Sequence, residues 1–186
     1  MTVSPELDQR FRAAAAAEGL LDVGFDVVDS PIGPLLVAAT DRGLARIFFD
    51  SDPDLHLERL AKAFGPRVLR SAASVDMTRR QLDEYFAGSR SSFALDVDLR
   101  GAAPFARQVL DELARVPYGQ TTTYGTLAAK VGAPRAARAV GTVMHRNPIP
   151  IVLPCHRVVG STGNLTGYAG GLHVKERLLR LEGALL

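Results

Sequence analysis

A mixed α/β (α+β) protein is expected from this chain, with a small N-terminal β-sheet and helices followed by a C-terminal helical domain that contains a helix-turn-helix. Three observations predict it. Residues 23–49 are short apolar runs broken by turn residues, and residues 104–145 are helical stretches separated by Gly and Pro. The charge also changes sign along the chain. Residues 1–100 hold 12 Lys/Arg against 16 Asp/Glu, whereas residues 101–186 hold 10 against 4. The expected division is a helical extension over 1–22, an α/β domain over 23–100 and a basic domain over 101–186.

Ser4 to Glu18 reads as a short helix, with Ser4 as N-cap, Pro5 in the first turn and Gly19 closing it. From Val23 the pattern becomes strand-like. Phe25-Asp26-Val27-Val28, Leu35 to Ala39 and Leu44 to Phe49 are separated by Ser30-Pro31-Ile32-Gly33-Pro34 and Asp41-Arg42-Gly43, predicting a three-stranded meander. Leu55 to Phe64 and Val75 to Phe86 carry helical periodicity. Phe93 to Leu99 alternates strictly and predicts a strand with one polar face. Pro104 to Val116 is a helix with Phe105, Val109, Leu113 and Val116 on one side, stopped by Pro117-Tyr118-Gly119. Thr123 to Val131 and Ala136 to His145 follow, joined by Gly132-Ala133-Pro134. A short Gly-containing turn between two helices is the helix-turn-helix layout.

Composition narrows the function classes. With 186 residues, 47% hydrophobic and 23% charged, the chain is an ordinary globular protein. One cysteine makes no internal disulfide and no thiolate-based structural zinc site. No apolar run approaches the ~20 residues of a membrane span. The opening Met1-Thr2-Val3-Ser4-Pro5-Glu6 lacks the basic-then-apolar layout of a secretory signal. A cytoplasmic setting is expected.

The sole thiol, Cys155, lies in Leu153-Pro154-Cys155-His156-Arg157-Val158. Thiolate is the nucleophile, and cationic or proton-accepting neighbours favour it. His156 and Arg157 are such neighbours in sequence. The plainer reading is a small buried hydrophobe. Likewise the basic C-terminal half suits a polyanion partner, or is a chance clustering on a solvated face.

The company that Cys155 keeps decides between these. Val116-Pro117-Tyr118-Gly119, Thr123 to Ala128, Ala136 to Gly141, Asn147 to Ile151, Pro154 to Val159, Gly167 to Gly171 and Lys175 to Glu182 occur in this order. Together they resemble the O6-alkylguanine-DNA alkyltransferase family (methylated-DNA–protein-cysteine S-methyltransferases). The resemblance runs from Phe105 to Glu182 and extends more loosely over 23–100, through Ser30 to Pro34 and Tyr85 to Gly88. It implies a ribonuclease H-like N-terminal domain.

The resemblance also implies an activity: direct reversal of O6-alkylguanine in double-stranded DNA, and less readily of O4-alkylthymine. The alkyl group would pass irreversibly to Cys155, once per protein. His156 matches the histidine that takes the thiol proton through a water, and Glu182 the carboxylate that orients it. Asn147 matches the asparagine that ties the helix-turn-helix to the nucleophile loop, although a helix C-cap before Pro148 explains it equally. Arg157 is expected to hold the loop by hydrogen bonds. Tyr124, Val158, Ala169, Tyr168, Met144 and Pro150 match positions that surround the flipped base. Arg138 matches the arginine that fills the vacated stack. Ala136, Ala137, Ala139 and Gly141 make a small-residue surface that, with Thr123, faces a minor groove. No cofactor and no metal are implied. The expected partner is damaged duplex DNA, bound by a monomer, alone or cooperatively.

Three features depart from the family pattern. Leu110 stands where bacterial relatives usually have Trp, Ala169 where many have Gly or Ser, and residues 1–22 precede the usual start. Rival readings are a binding-only relative, a helix-turn-helix transcription factor and a Cys-His hydrolase. The first lacks the nucleophile that Cys155 supplies. The second reads base edges with long polar side chains, which Ala136, Ala137, Ala139 and Gly141 are too short to do. The third needs an oxyanion hole and turns over.

Overall fold

Apolar runs that alternate with turn residues do form a meander in the computed structural model, which describes residues 4–185. Val23–Val28 (β1), Leu35–Thr40 (β2) and Gly43–Phe48 (β3) pair antiparallel in sequence order. Gly43 has φ 120°, and a Cβ there would collide with the Asp96 carbonyl, so the β2–β3 turn needs glycine. Residues 1–3 of the expected extension, and Leu186, lie outside the described residues.

The sheet differs from the expected three strands. Val68–Arg70 (β4) adds parallel to β1, giving the order β3-β2-β1-β4. Three residues are too few to show periodicity, so only the pairing with β1 reveals this strand. One face packs Val23, Phe25, Leu36 and Ala38 onto Leu60 of the helix Leu57–Phe64 (α2). Each of the larger buried side chains here contributes about 1.5–3 kcal/mol relative to exposure. The helix expected over Leu55 to Phe64 begins instead with a 3-10 turn at Pro53–Leu55, where the Asp52 side chain accepts from the Asp54 N–H.

The strand expected over Phe93 to Leu99 is not formed. It is reduced to a single bridge between Leu44 and Val97, flanked by Leu44 N–H to Asp96 O and Asp98 N–H to Leu44 O. A side chain satisfies the backbone at Ala94. Gln81 both donates to the Ala94 carbonyl (3.0 Å) and accepts from its N–H (2.8 Å), so an amide replaces a neighbouring strand. Asp98 accepts from Thr40 and Arg100. The N-terminal helix Pro5–Ala17 (α1) starts where Ser4 Oγ accepts from Leu7 N–H. Leu7 and Phe11 are exposed and Ala15 is buried.

The chain divides into two units. One comprises residues up to Asp83 with Ala94–Arg100; the other comprises Glu84–Phe93 with Gly101 onward. The helix Ala72–Phe86 (α3) therefore ends in the second unit. In that unit Pro104–Ala114 (α4) buries Val109, Leu110 and Leu113. Leu110 is 2% exposed, so the departure from Trp lies in the core. The helix stops before the expected Val116 because Arg115 and Val116 bond three residues back, tightening the last turn.

Tyr124–Lys130 (α5) and Ala137–His145 (α6) form the helix-turn-helix. The Thr123 hydroxyl caps α5 by accepting from Thr126 N–H at 3.0 Å. A 3-10 turn at Cys155–Arg157 leads into Val158–Val159 (β6), which pairs parallel with Thr122–Thr123 (β5). That two-residue ladder ties the start of the helix-turn-helix to the segment after Cys155. Leu172–Leu181 (α7) closes the unit and buries Val174, Lys175, Leu178 and Leu179. Among the described residues, no helix is long and apolar enough to cross a membrane.

Candidate active site

The turn that carries Cys155 is tied down by hydrogen bonds on its N-terminal side. Asn147 donates from its amide to the Leu153 carbonyl (2.7 Å) and accepts from Ile149 N–H (3.1 Å), closing a loop around Pro148 to Leu153. Leu153 N–H returns to Ile149 O, and Cys155 N–H to Leu153 O. Ile151, fully buried, is held at φ 76°, a left-handed conformation that costs a β-branched residue on the order of 1–3 kcal/mol. Burial of Ile149, Ile151 and Leu153 and the Asn147 bonds outweigh that strain. The Asn147 side chain thus acts across the loop, while its backbone N–H donates to the Met144 carbonyl at the end of α6 (3.3 Å).

Cys155 is 4% exposed. Burial pushes its thiol up to about 11, against the lowering supplied by the Asn147 amide, the Lys175 charge and nearby backbone N–H groups. At neutral pH it rests as the thiol. The sequence expectation that His156 and Arg157 flank and activate it is modified here, because both side chains turn to Glu182. His156 Nε2 lies 2.8 Å from Glu182 Oε1, and Arg157 donates through Nε (2.8 Å) and Nη2 (2.9 Å) to the two carboxylate oxygens. Arg157 also donates to the Val116 carbonyl at 2.5 Å, and its guanidinium sits 5.8 Å from the Tyr118 ring centre.

Glu182 is the hub. Tyr85 donates to Oε1 at 2.7 Å and Gly119 N–H to Oε2 at 3.3 Å. Gly119 has φ 73°, and a Cβ there would come 2.9 Å from the Glu182 carbonyl, so this close approach needs glycine. Burial opposes the charge on Glu182, yet the bonds from His156 and Arg157 outweigh it and bring the carboxyl down to about 2. An ionised carboxylate only accepts, so His156 Nε2 carries the proton and Nδ1 the lone pair. Nδ1 is buried and meets no hydrogen-bonding partner among the described residues. Burial holds the His156 pKa below its ordinary value, with Glu182 opposing the shift, so the ring rests neutral. A buried thiol and, one residue on, a neutral imidazole whose tautomer a carboxylate fixes are the groups that a nucleophile–base–orienter arrangement requires.

A second feature lies at the helix-turn-helix. A cavity of about 530 Å³ is lined by α5, α6 and the 160–167 loop, including Thr123, Tyr124, Arg138, Gly141, Met144 and Thr166. Its volume is that of a small-molecule site. Arg138 and Ala139 are exposed, and Ala136, Ala137 and Gly141 are half-buried. Val158 and Pro150 are buried, Tyr168 is half-buried and Ala169 is exposed; none of these four lines the cavity. Pro150 instead forms a backbone bridge with Leu153. Among the described residues no group of His, Cys, Asp and Glu is placed to hold a metal ion.

Sequence reasoning missed three participants. Tyr85 reaches Glu182 from 97 positions away, a pairing that no local spacing signals. Lys175, fully buried, donates from Nζ to the carbonyls of Val158 (2.6 Å) and Thr166 (3.0 Å). Thr166 itself bonds Tyr124, hydroxyl to hydroxyl, at 2.7 Å. A lysine within the block Lys175 to Glu182, which carries part of the family resemblance, is the one sign of these contacts in the sequence.

Known proteins carry the same architecture. The family profile described as 6-O-methylguanine DNA methyltransferase, DNA binding domain, matches residues 104–184, and that described as its ribonuclease-like domain matches 24–99. A methylated-DNA–protein-cysteine methyltransferase of Methanosarcina barkeri is 44% identical over 159 residues, covering 85% of this chain and 96% of that one. One from Mycolicibacterium paratuberculosis is 44% identical over 160 residues, covering 86% and 92%. The crystal structure of Mycobacterium tuberculosis OGT in complex with DNA superposes with a TM-score of 0.76 at 38% identity, covering 87% and 93%. The O6-methylguanine-DNA methyltransferase of the archaeon Pyrococcus kodakaraensis does so at 0.61 and 26%, covering 87% and 99%. Two family profiles that together span most of the chain, and relatives that match over nearly their full length, place this chain in the methylated-DNA–protein-cysteine methyltransferase family.

Proposed function

We propose that this protein removes the alkyl group from O6-alkylguanine in double-stranded DNA by transferring it irreversibly to Cys155, once per molecule. The observation that carries the reading is the Glu182–His156 pair, which leaves Nδ1 as the one ring nitrogen able to take a proton, on the residue that follows the buried thiol. Cys155 Sγ attacks the alkyl carbon as its proton passes, through a water, to His156 Nδ1. The S–C bond forms, the C–O6 bond breaks, and guanine leaves with the electron pair. A proton returned to the purine then completes neutral guanine. The thioether product carries no further leaving group, so the protein is spent.

Burial of Cys155 also supports base flipping, because an alkyl group stacked inside a duplex cannot reach a nucleophile inside the fold. Arg138, exposed on α6, fills the space left in the stack. Ala136, Ala137, Ala139 and Gly141, with Thr123 nearby, let α6 press against a minor groove, and Tyr124 and Met144 receive the base in the cavity. Val158, Tyr168, Ala169 and Pro150 complete the surroundings as the base moves in toward Cys155. O4-alkylthymine presents the same alkyl–oxygen bond on a smaller ring and is a poorer substrate. The protein acts as a monomer on duplex DNA.

Intact-protein mass after incubation with a duplex containing one O6-methylguanine tests this. A gain of one methyl group, mapped to the Cys155 peptide and saturating at one per protein, is the expected result. Tight binding without a mass gain would make the protein a lesion-recognition factor instead.

A further inference from the structure

Tyr124 and Thr166 face each other on the cavity, Tyr124 from the first turn of α5 and Thr166 from the 160–167 loop, with their hydroxyl oxygens 2.7 Å apart. Two hydroxyls at this distance share one proton between them, and the other proton must point elsewhere. The direction of that bond therefore decides what Tyr124 offers to a ligand. If Tyr124 donates to Thr166, the phenol presents only lone pairs to the cavity. If Thr166 donates to Tyr124, the phenol proton is released toward the cavity.

The ligand's chemistry selects the second arrangement. A guanine alkylated at O6 has lost its N1–H, so N1 and N3 are both acceptors and a donor is what the site must supply. We propose that Thr166 is a positioning residue: its hydroxyl donates to Tyr124 Oη, and so commits the Tyr124 proton to the base in the cavity. Donation into the phenol oxygen also polarises the phenol O–H and makes it a better donor. The strengthened bond matters most as negative charge builds on the departing purine. The proposal rests on the reading of the cavity as the alkylguanine site.

Thr166 is held for this role at both ends. Its carbonyl accepts from Lys175 Nζ (3.0 Å), which also donates to the carbonyl of Val158, three residues beyond Cys155. Its methyl Cγ2 lies toward Gly160, 3.7 Å from where a Cβ on that glycine would stand. A β-branched side chain has few χ1 states, and with the methyl placed there the hydroxyl is left facing Tyr124. The buried Lys175 thus connects the strand after Cys155 to the residue that orients Tyr124.

A double-mutant cycle tests this: wild type, Thr166→Val, Tyr124→Phe and the double variant, with Thr166→Ser as rescue. Single-turnover transfer from O6-methylguanine duplex is followed by intact mass, and melting temperature is measured alongside. Thr166→Val, which keeps the shape and removes the hydroxyl, is expected to lower the saturating transfer rate about 3- to 10-fold. The half-saturating duplex concentration and the melting temperature should stay near wild type. Thr166→Ser should restore the rate, and Thr166→Val should cost nothing further in the Tyr124→Phe background. Thr166→Ala serves the same cycle if the valine variant proves less stable. A Thr166→Val rate equal to wild type, or a loss that multiplies with that of Tyr124→Phe, would overturn the inference alone. A wild-type protein that transfers no methyl group would overturn the proposed function, and the inference with it.

Discussion

His156 Nε2 and Glu182 Oε1 are 2.8 Å apart, and neither side chain is exposed to solvent. The same carboxylate also holds Arg157, Tyr85 and the Gly119 N–H, so one buried anion sets the tautomer of His156 and fastens the turn that carries Cys155. These two duties separate in mutants.

Glu182→Gln keeps the shape and removes the charge. Arg157 is then a buried cation without its counter-ion, a change that costs about 3–5 kcal/mol. Gln also offers one acceptor and an NH2 donor where the carboxylate offered two acceptors. The donors of His156, Arg157, Tyr85 and Gly119 then compete for one oxygen, and the His156 tautomer is no longer fixed. Transfer is expected to fall at least about 100-fold, the scale of a general base contribution. Melting curves and single-turnover rates at a temperature where the variant is folded check both parts. A variant of wild-type rate would remove Glu182 from the mechanism.

The pH dependence of stability has a defined sign. The Glu182 pKa is depressed to about 2 in the fold, so its contribution is present above the ordinary carboxylate range and is lost as pH falls toward 2. The lowered pKa of His156 acts in the same direction, beginning below the ordinary histidine value, because the unfolded chain takes up a proton that the fold refuses. Cys155 is shifted the other way: its raised pKa makes stability fall as pH climbs from its ordinary value toward about 11. Denaturant melts across pH should show a neutral plateau with losses on both sides, and Cys155→Ser should delay the start of the alkaline loss.

Asn147→Ala removes the amide that bonds Leu153 O, Ile149 N–H and the Cys155 thiol. Stranding buried backbone groups costs about 1–3 kcal/mol. The Cys155 pKa is expected to rise further, because the Asn147 bond lowers it. Thiol titration by ultraviolet absorbance reads the second effect independently of the first; an unchanged titration would leave Asn147 a purely structural tie.

Ile151→Gly sets two effects against each other. Glycine relieves left-handed strain of about 1–3 kcal/mol. It also empties a fully buried site, which for Ile→Ala alone costs about 2–5 kcal/mol, and frees the unfolded chain. Burial should win, and the melting temperature should drop; a rise would mean that the strain exceeds the packing.

Arg138→Ala should leave Cys155 reactive toward free O6-alkylguanine while transfer from duplex weakens, since Arg138 is exposed on α6 at the cavity and outside the Glu182 network. Equal loss on both substrates would remove its role in flipping.

Local pattern was enough to read much of this protein. Apolar runs between Gly and Pro turns gave away the meander, and three-and-four spacing with Gly breaks gave away α4 to α6, because such elements are specified by residues close in sequence. The motif blocks around Cys155 pointed to the chemistry through their resemblance to a known family. Tertiary structure decided what depends on distant partners. β4 exists through pairing with β1, and the expected strand at Phe93 to Leu99 is lost to the side chain of Gln81. The side chains next to Cys155 in sequence do not activate its thiol: His156 and Arg157 turn to a carboxylate 25 or more residues away, and burial outweighs the lowering by the local backbone N–H groups. Tyr85, Lys175 and Thr166 join the site only once the chain is folded. A sequence displays which groups are present and how their immediate neighbours repeat; protonation and hydrogen-bond direction follow from what folding places within 3 Å and from how much water it removes.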